Sequence, residues 1–484
     1  MQPQQIAAAP QPAYMLPAVE SLSPPPSNLI IGKARSQWST IRHMVALVII
    51  CFFLMTSLTI IPWGIVNGDG PLALAGTICS LPILFLFFHF RKPKLLHVMV
   101  VEPFEGGKNA HPLPGGRTLT TPLPTRFRHH LVRDSTLLDI PTTGKLWSVF
   151  TIVIITSITL FILMILQPDN IVILLIALAV GIPFWMVGFA IPVFAWWSYS
   201  TRSLGLPTKR HEAESVLSAG FLSTFPAVII NSFLFPLLLL AASIDPLSEA
   251  GTIMLLTLSA PIGEELCKAA AVLCCYRFID SPRRGFQVGF TVGLGFAMLE
   301  NIMYVSESFF SDGFAGFAIS SFLRGIGSIP GHAVWTGLSG LGIGWILYKE
   351  PTLGGILPKT VDSPSADFVI FDAKTGQMAN NPTGSGNSTQ NMGIQAWNVQ
   401  QYLNSQQKKK PWPLPTSPLT GIILAMLGHS FWNGSSFLVY FIVEKAAGEV
   451  AGIIAMILWT FTMIGTLLWI GKNILSSLHS VPSS

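Results

Sequence analysis

The feature that most constrains this chain is a charged stretch inside an apolar segment long enough to cross a bilayer. Residues 260–268 read Ala-Pro-Ile-Gly-Glu-Glu-Leu-Cys-Lys, so Glu264, Glu265 and Lys268 lie within that segment. A charge at the bilayer centre costs roughly 2.5–3.5 kcal/mol on insertion scales. Such residues persist where they have a partner or a function, and either explanation requires polar residues on other spans.

The composition places these charges in a membrane. Mean hydropathy is +0.57 and 11% of the residues are charged, against roughly 25% in soluble domains. Apolar runs near 20 residues recur, and they lack the alternation of β-barrel strands. We therefore predict an all-α fold, a polytopic transmembrane helical bundle. Because the basic residues lie at span ends, the lipid bilayer explains them and no nucleic-acid partner is expected.

The rule of about 20 residues per crossing predicts about ten or eleven spans. The segment 314–348 decides the number, because it is long enough for two spans broken near Pro330-Gly331. The predicted spans are 44–66, 71–90, 147–166, 171–197, one within 216–243, 252–278, 286–305, one or two within 314–348, 419–443 and 450–474.

The connections between the spans alternate in charge. Basic residues precede the first span and follow the second, fourth and sixth, whereas the intervening connections up to residue 312 carry acidic residues and no Lys or Arg. This is the positive-inside pattern. It predicts an integral, multi-pass membrane protein with a cytosolic N-terminus.

Composition also divides the chain into regions. A Pro- and Gln-rich tail is expected to be disordered, and a second low-complexity segment separates two groups of polar spans. The regions are the tail 1–43, N-terminal transmembrane helices 44–215 with a basic cytosolic loop at 91–146, a first group of polar spans 216–348, the loop 349–417, and a second group 418–476 that completes the same core.

The loop 349–417 contains one modification signal. Asn387-Ser388-Thr389 is an N-glycosylation acceptor if the loop is lumenal. Two spans within 314–348 would place it there, whereas the three lysines at 408–410 favour the cytosol.

The Glu-Glu pair combines charge pairing with a potential for acid–base chemistry. Glu264 and Lys268 are four residues apart and share a helix face, so Lys268 serves either as a structural ion-pair partner or in catalysis. Two neighbouring carboxylates cannot both ionise cheaply in a low dielectric, which leaves one suited to general acid–base catalysis. Pro261 and Gly263 can loosen the helix and admit water.

The next span offers Glu300, with Asn301 beside it and Tyr304 on the same helix face. By the predicted topology, Glu300 and the Glu-Glu pair each lie about half a span from the cytosolic end, so they could meet at one depth. The alternative is a hydrogen bond between two helices.

Two later spans each supply a histidine with a polar residue one turn further on. These pairs are His332 with Thr336, and His429 with Asn433. A lone histidine in a span is usually structural, but two histidines facing carboxylates can bind a metal or move a proton. Asn433 can donate a hydrogen bond to a developing oxyanion.

Together these motifs resemble the PrsW family of intramembrane proteases, which is related to the type II CAAX-prenyl proteases. The resemblance covers about residues 216–440, roughly half of the chain. Glu264-Glu265-x-x-Lys268 is similar to the family's Glu-Glu-x-x-Lys motif. The block Gly-Phe-Ala…Glu300-Asn301…Tyr304 resembles its second motif, and His332 and His429 resemble its third and fourth polar positions. The type II CAAX enzymes carry a histidine in the second motif, so a prenylated substrate is not expected.

The resemblance implies an endopeptidase that hydrolyses peptide bonds of membrane proteins or membrane-associated peptides. Glu264 or Glu265 would activate a water, and Asn433, with His429, would stabilise the oxyanion. Glu300 and the histidines would position the water, shuttle protons or bind a metal. The implied catalytic residues are Glu264, Glu265, Glu300, His332, His429 and Asn433, the supporting residues are Lys268, Asn301, Tyr304 and Thr336, and the ligands of a divalent metal such as zinc would be Glu264, Glu300, His332 and His429.

Two other functions would use the same residues. A proton- or ion-coupled transporter would employ them as a relay, and it would show ion or solute flux without peptide hydrolysis. A catalytically silent membrane scaffold would bind membrane partners through the same fold and would catalyse no reaction. The sequence shows no internal repeat of the kind common in transporters.

Overall fold

The computed structural model describes residues 36–91, 95–113, 117–133, 136–348 and 411–482. Within these ranges the chain forms long apolar helices and one β-hairpin, which confirms the predicted helical membrane bundle. The helices are α1 (Trp38–Val66), α2 (Gly70–Phe90), α3 (Thr143–Leu166), α4 (Ile171–Leu204), α5 (Arg210–Ile229), α6 (Phe235–Ala241), α7 (Glu249–Met254), α8 (Ala260–Cys274), α9 (Pro282–Leu323), α10 (Ile329–Leu347), α11 (Pro418–Ala447) and α12 (Glu449–Ser477).

Eight helical segments of the described residues are long and apolar enough to cross a membrane. One of them, Pro282–Leu347, reverses direction at Gly313, whose φ of 58° and ψ of −142° suit glycine. It therefore crosses twice, as 282–312 and 314–347. These two passes and the charged segment 249–274, which is not among the eight, bring the described crossings to ten, in rough agreement with the predicted number.

The break predicted near Pro330-Gly331 is wrong. The helix runs on to Leu347 through a π-helical turn at Arg324–Ser328, and Pro330 stands in the first turn of α10. A proline is tolerated there because its missing N–H would have no helical partner.

Glycines bring α9 and α10 into direct backbone contact. A Cβ on Gly289 would lie 2.3 Å from the Thr336 carbonyl oxygen, and one on Gly293 would lie 2.3 Å from that of His332. Small residues allow such close packing of membrane helices. This contact places His332 beside the face of α9 that carries Glu300. Glu300 lies two helical turns beyond Gly293.

The starts of α5 and α9, each preceded by a basic connection, lie at one end of the helical bundle. Arg283 Nε donates to the Leu478 carbonyl at 2.9 Å, and Arg284 Nη2 donates to the Pro207 carbonyl at 2.9 Å. The start of α9, the start of α5 and the end of α12 therefore meet at this basic end.

The residues that flank the low-complexity loop lie at the same basic end. A Cβ on Gly344 would lie 2.8 Å from Pro282 Cα, and one on Gly342 would lie 2.3 Å from the Ser417 carbonyl oxygen. A single pass through 314–347 explains this placement, so two passes no longer support a lumenal loop. Asn387 itself lies outside the described residues.

The basic loop contains a β-hairpin that its sequence had not led us to expect. Strand β1 (Leu95–Leu113) pairs antiparallel with β2 (Arg117–Arg133), with register irregularities between Pro103 and Ala110. Arg126 Nη2 lies 2.9 Å from Glu102 Oε1. The loop is thus partly ordered by strand pairing.

Gly289→Ala is expected to destabilise the protein by about 1–3 kcal/mol, because the new methyl group meets the Thr336 carbonyl and forces two backbones apart. Gly465→Ala is the matched control, since a Cβ there meets nothing within 4 Å. Thermal unfolding of both purified variants in detergent measures the difference. Equal stability of the two variants would contradict the backbone contact.

The positive-inside rule predicts that the basic end faces the cytosol. In a chain whose five native cysteines are replaced by alanine, a cysteine introduced by Thr416→Cys should then react with an impermeant maleimide only from the cytosolic side, and one introduced by Leu247→Cys only from the opposite side. Both positions are exposed, and Leu247 is 90% accessible. Labelling of both from one side would refute the topology.

Candidate active site

Polar residues of several spans meet close to three π-helical turns. The turns are Ile230–Leu234 after α5, Leu255–Ser259 before α8 and Arg324–Ser328 before α10. Such turns disturb the regular hydrogen-bond ladder and occur frequently at functional sites. In the second turn, the carbonyl of Leu256 accepts from Asn433 Nδ2 at 3.1 Å and that of Thr257 accepts from Ser430 Oγ at 2.7 Å. The turn therefore joins α11 to α8.

The Glu-Glu-x-x-Lys motif lies on α8 with all three charged side chains buried. Lys268 Nζ is 3.2 Å from Glu264 Oε2 and 2.8 Å from Glu265 Oε1. It is also 2.7 Å from His332 Nδ1 and 3.9 Å from the centre of the Phe296 ring. The three ammonium protons thus all have acceptors, and Lys268 is the centre of the cluster.

His332 connects this centre to a second ion pair. Its Nε2 lies 2.9 Å from Glu300 Oε2, and Arg324 Nη2 lies 2.8 Å from the same oxygen. Because Nδ1 accepts from Lys268, these contacts assign the neutral ring with the proton on Nε2. The carboxylate of Glu300 therefore holds the orientation of His332 and is itself held by Arg324.

His429 reaches the cluster from α11. Its Nδ1 is 3.1 Å from Glu265 Oε1, which assigns the proton to Nδ1 and leaves a lone pair on Nε2. That nitrogen faces Glu264 Oε2 at 3.9 Å. Trp335 stacks on the ring with centroids 4.8 Å apart and an angle of 17°. Two lone pairs that face each other favour a proton, a water or a cation between them.

The charges of the cluster do not balance. Three carboxylates, those of Glu264, Glu265 and Glu300, face only two cations, Lys268 and Arg324, when both histidines are neutral. One negative charge is therefore in excess in a buried place. Either a proton on a carboxylate or a bound cation would compensate it, since an uncompensated buried charge is costly.

The residues fit a divalent metal. The ligand atoms of Glu264, His332 and His429 all lie within 4.8 Å of one another, and two histidines with one glutamate form a known set of catalytic zinc ligands. Each histidine is held through its other ring nitrogen by a carboxylate, Glu300 for His332 and Glu265 for His429. Such outer carboxylates fix metal-binding imidazoles. Glu300, which the sequence predicted as a metal ligand, thus contacts the candidate ligand His332 and is not itself one of the three candidate ligands.

The supporting residues of the sequence motifs surround this centre. Thr336 Oγ1 lies 3.4 Å from Glu265 Oε2, and Asn301 Oδ1 accepts from Arg324 Nε at 2.5 Å. The Arg324 guanidinium also lies 4.0 Å from the centre of the Tyr304 ring. Asn301 and Tyr304 therefore support Arg324 and do not touch the Glu-Glu pair.

Asn433 departs from the predicted arrangement. Its side-chain amide donates to the Leu256 carbonyl in the π turn before α8, so this contact ties two helices together. The structure brings Asn433 to the edge of the site, one turn from His429, with its donor directed at the backbone.

Three residues around the cluster, Asn231, Ser259 and Arg324, belong to none of the sequence motifs. Asn231 Nδ2 lies 3.4 Å from Glu264 Oε1, and Ser259 Oγ donates to Asn231 Oδ1 at 3.2 Å. Arg324, the third of them, pairs with Glu300. The only signal for Asn231 and Arg324 was a lone polar residue in an apolar run, which does not reveal its partner.

Buried carboxylates and histidines on several spans define a polytopic membrane protein with a hydrolase-like polar centre. Residues 211–357 match the family model described as PrsW family intramembrane metalloprotease. The resemblance to this family is thereby confirmed over the segment that carries Glu264, Glu265, Glu300 and His332, whereas His429 lies beyond it. No curated protein and no solved structure matches the chain.

Arg324→Met is expected to destabilise the protein by about 3 kcal/mol, the lower end of the range for buried pairs, because it leaves the Glu300 carboxylate, whose side chain is 14% exposed, without its cation. Adding Glu300→Gln should recover a large part of this loss, since no charge then remains to be paired. A double-mutant cycle of unfolding free energies in detergent measures the coupling. Strictly additive losses would contradict the pair.

Proposed function

We propose that this protein is an intramembrane endopeptidase that hydrolyses peptide bonds of transmembrane or membrane-associated proteins. The observation that carries the proposal is the convergence of Glu264, Glu265, His332 and His429 from three different helices in one buried cluster. The match of residues 211–357 to a metalloprotease family supports it.

Glu264 is the carboxylate that contacts the attacking water in this proposal. Its Oε1 has one long contact, 3.4 Å from Asn231, so it retains free lone pairs. The oxygens of Glu265 are occupied by Lys268, His429 and Thr336. Glu265 accordingly orients its neighbours, and Glu264 is the group available to accept the proton of a water during attack on a carbonyl.

The histidines move protons and orient the reacting groups. His332 keeps a proton on Nε2 against Glu300, and His429 presents an unprotonated Nε2 beside Glu264. A proton taken up at Glu264 can therefore pass to His429 and on to the leaving amine. The apolar packing around the cluster keeps bulk water away, which strengthens each of these polar contacts.

A divalent ion would replace the proton path through His429, because the Nε2 lone pair of that histidine would then bind the ion. Held by Glu264, His332 and His429, it would act as a Lewis acid that polarises the scissile carbonyl. The donor set and its outer carboxylates support zinc as the ion.

Glu264→Gln should lower peptide cleavage by about 10²–10⁴-fold, because the amide cannot accept a proton. Glu307→Gln on α9 is the control, an exposed glutamate of the same charge. Each variant is reconstituted in proteoliposomes with a panel of single-span membrane proteins, and the fragments are identified by mass spectrometry.

Two results would defeat the proposal. Cleavage by Glu264→Gln at the rate of the control would show that another group activates the water. Proton or ion flux that depends on Glu300 and His332, with no cleavage by the unaltered protein, would establish a transporter instead.

A further inference from the structure

The Lys268 ammonium stands among the atoms that a metal ion would need. It lies 2.7 Å from His332 Nδ1, the ring nitrogen that Glu300 leaves free, and 3.2 Å from Glu264 Oε2, the oxygen that faces His429. These two atoms belong to two of the three residues that could hold a metal. Zinc binds imidazole and carboxylate at about 2.0–2.2 Å, so an ion on these atoms would overlap the ammonium.

We propose that the Lys268 ammonium and a divalent metal ion are alternative occupants of one position, and that the ammonium keeps only its Glu265 contact when the ion binds. The inference rests on the metal site of the proposed function but does not require peptide hydrolysis. In the metal-free protein, Lys268 acts as a placeholder cation that holds the ligands together.

The cluster offers the ammonium a place to withdraw to. Glu265 Oε1 lies 2.8 Å from Lys268 Nζ, and Glu265 is not one of the three candidate ligands. The Phe296 ring at 3.9 Å gives the cation a further favourable neighbour. Lys268 can therefore lose Glu264 and His332 without becoming an unpaired buried charge.

The placeholder role also explains why a lysine is tolerated there. Without its ammonium, the carboxylates of Glu264, Glu265 and Glu300 would face Arg324 alone. Their mutual repulsion would separate the ligands before any metal arrived. Lys268 thus stabilises the metal-free state and lowers metal affinity at the same time.

Zinc affinity measures this exchange directly. The purified protein is stripped with a chelator in detergent, and zinc is titrated against a chromophoric competitor. Lys268→Met should raise zinc affinity about tenfold or more, because no charge-assisted hydrogen bonds need to be broken. Lys472→Met, an exposed lysine on α12, should leave the affinity unchanged, and Glu264→Gln should lower it.

The Lys268→Met variant both empties the position among the ligands and removes a positive charge. A second variant that loses the same charge elsewhere in the cluster separates these two effects. Arg324→Met removes one positive charge from the cluster without vacating the position among the ligands. Its gain in zinc affinity should be smaller than that of Lys268→Met. Equal gains, or an unchanged or weaker affinity in Lys268→Met, would overturn the proposal.

The unaltered protein provides a second test if Lys268→Met does not fold. X-ray absorption of the zinc-loaded protein should show two imidazoles and a carboxylate, since these atoms become available only when the ammonium withdraws. Fewer than two imidazoles, or no zinc binding at all, would overturn the exchange. Peptide cleavage that persists without metal would leave the endopeptidase proposal standing, so the two failures are distinguishable.

Discussion

A charge inside a bilayer is stable only where an opposite charge or a hydrogen-bond partner meets it, and the core of this protein depends on that constraint. The Lys268 ammonium touches two glutamates of its own helix and a histidine of α10. That histidine binds Glu300, which binds Arg324. The chain of contacts satisfies the charges and, in doing so, fixes the relative positions of α8, α9 and α10.

Two backbone features let the helices come close enough for these contacts. Glycines such as Gly289 and Gly293 remove side chains between α9 and α10, so carbonyls and Cα atoms touch. The π turns place Asn231 beside the Glu264 carboxylate and Arg324 beside the Glu300 carboxylate, and they expose carbonyls to the side chains of α11. Geometry and chemistry are therefore coupled, because the same departures from ideal helices pack the bundle and build the site.

The sequence was sufficient to name most members of the cluster, because a charged or imidazole side chain is conspicuous in an apolar run. It was not sufficient to assign partners. Arg324 meets Glu300 only because the chain turns back at Gly313, and Asn433 is diverted to a carbonyl that a π turn makes available. Such contacts depend on the tertiary structure, so the spacing of residues in the sequence does not predict them.

The sequence was similarly insufficient to predict all of the secondary structure. A proline at position 330 suggested a break, yet a proline in the first turn of a helix breaks nothing. The β-hairpin had a signal in the sequence, because Pro-Gly-Gly at 114–116 is typical of turns, but the basic residues of the segment favoured the interpretation as a loop.

The exclusion of the segment 249–274 from the apolar spans has a consequence for how the protein is made. With three charged side chains near its centre, this segment is a poor substrate for lateral release from a translocon. A hydrogen-bond partner of its charged side chains, His332 on α10, is synthesised about 60 residues later. Stable insertion of the helix that carries the Glu-Glu pair should therefore await the emergence of α10, and the site is complete only after α11 has added His429.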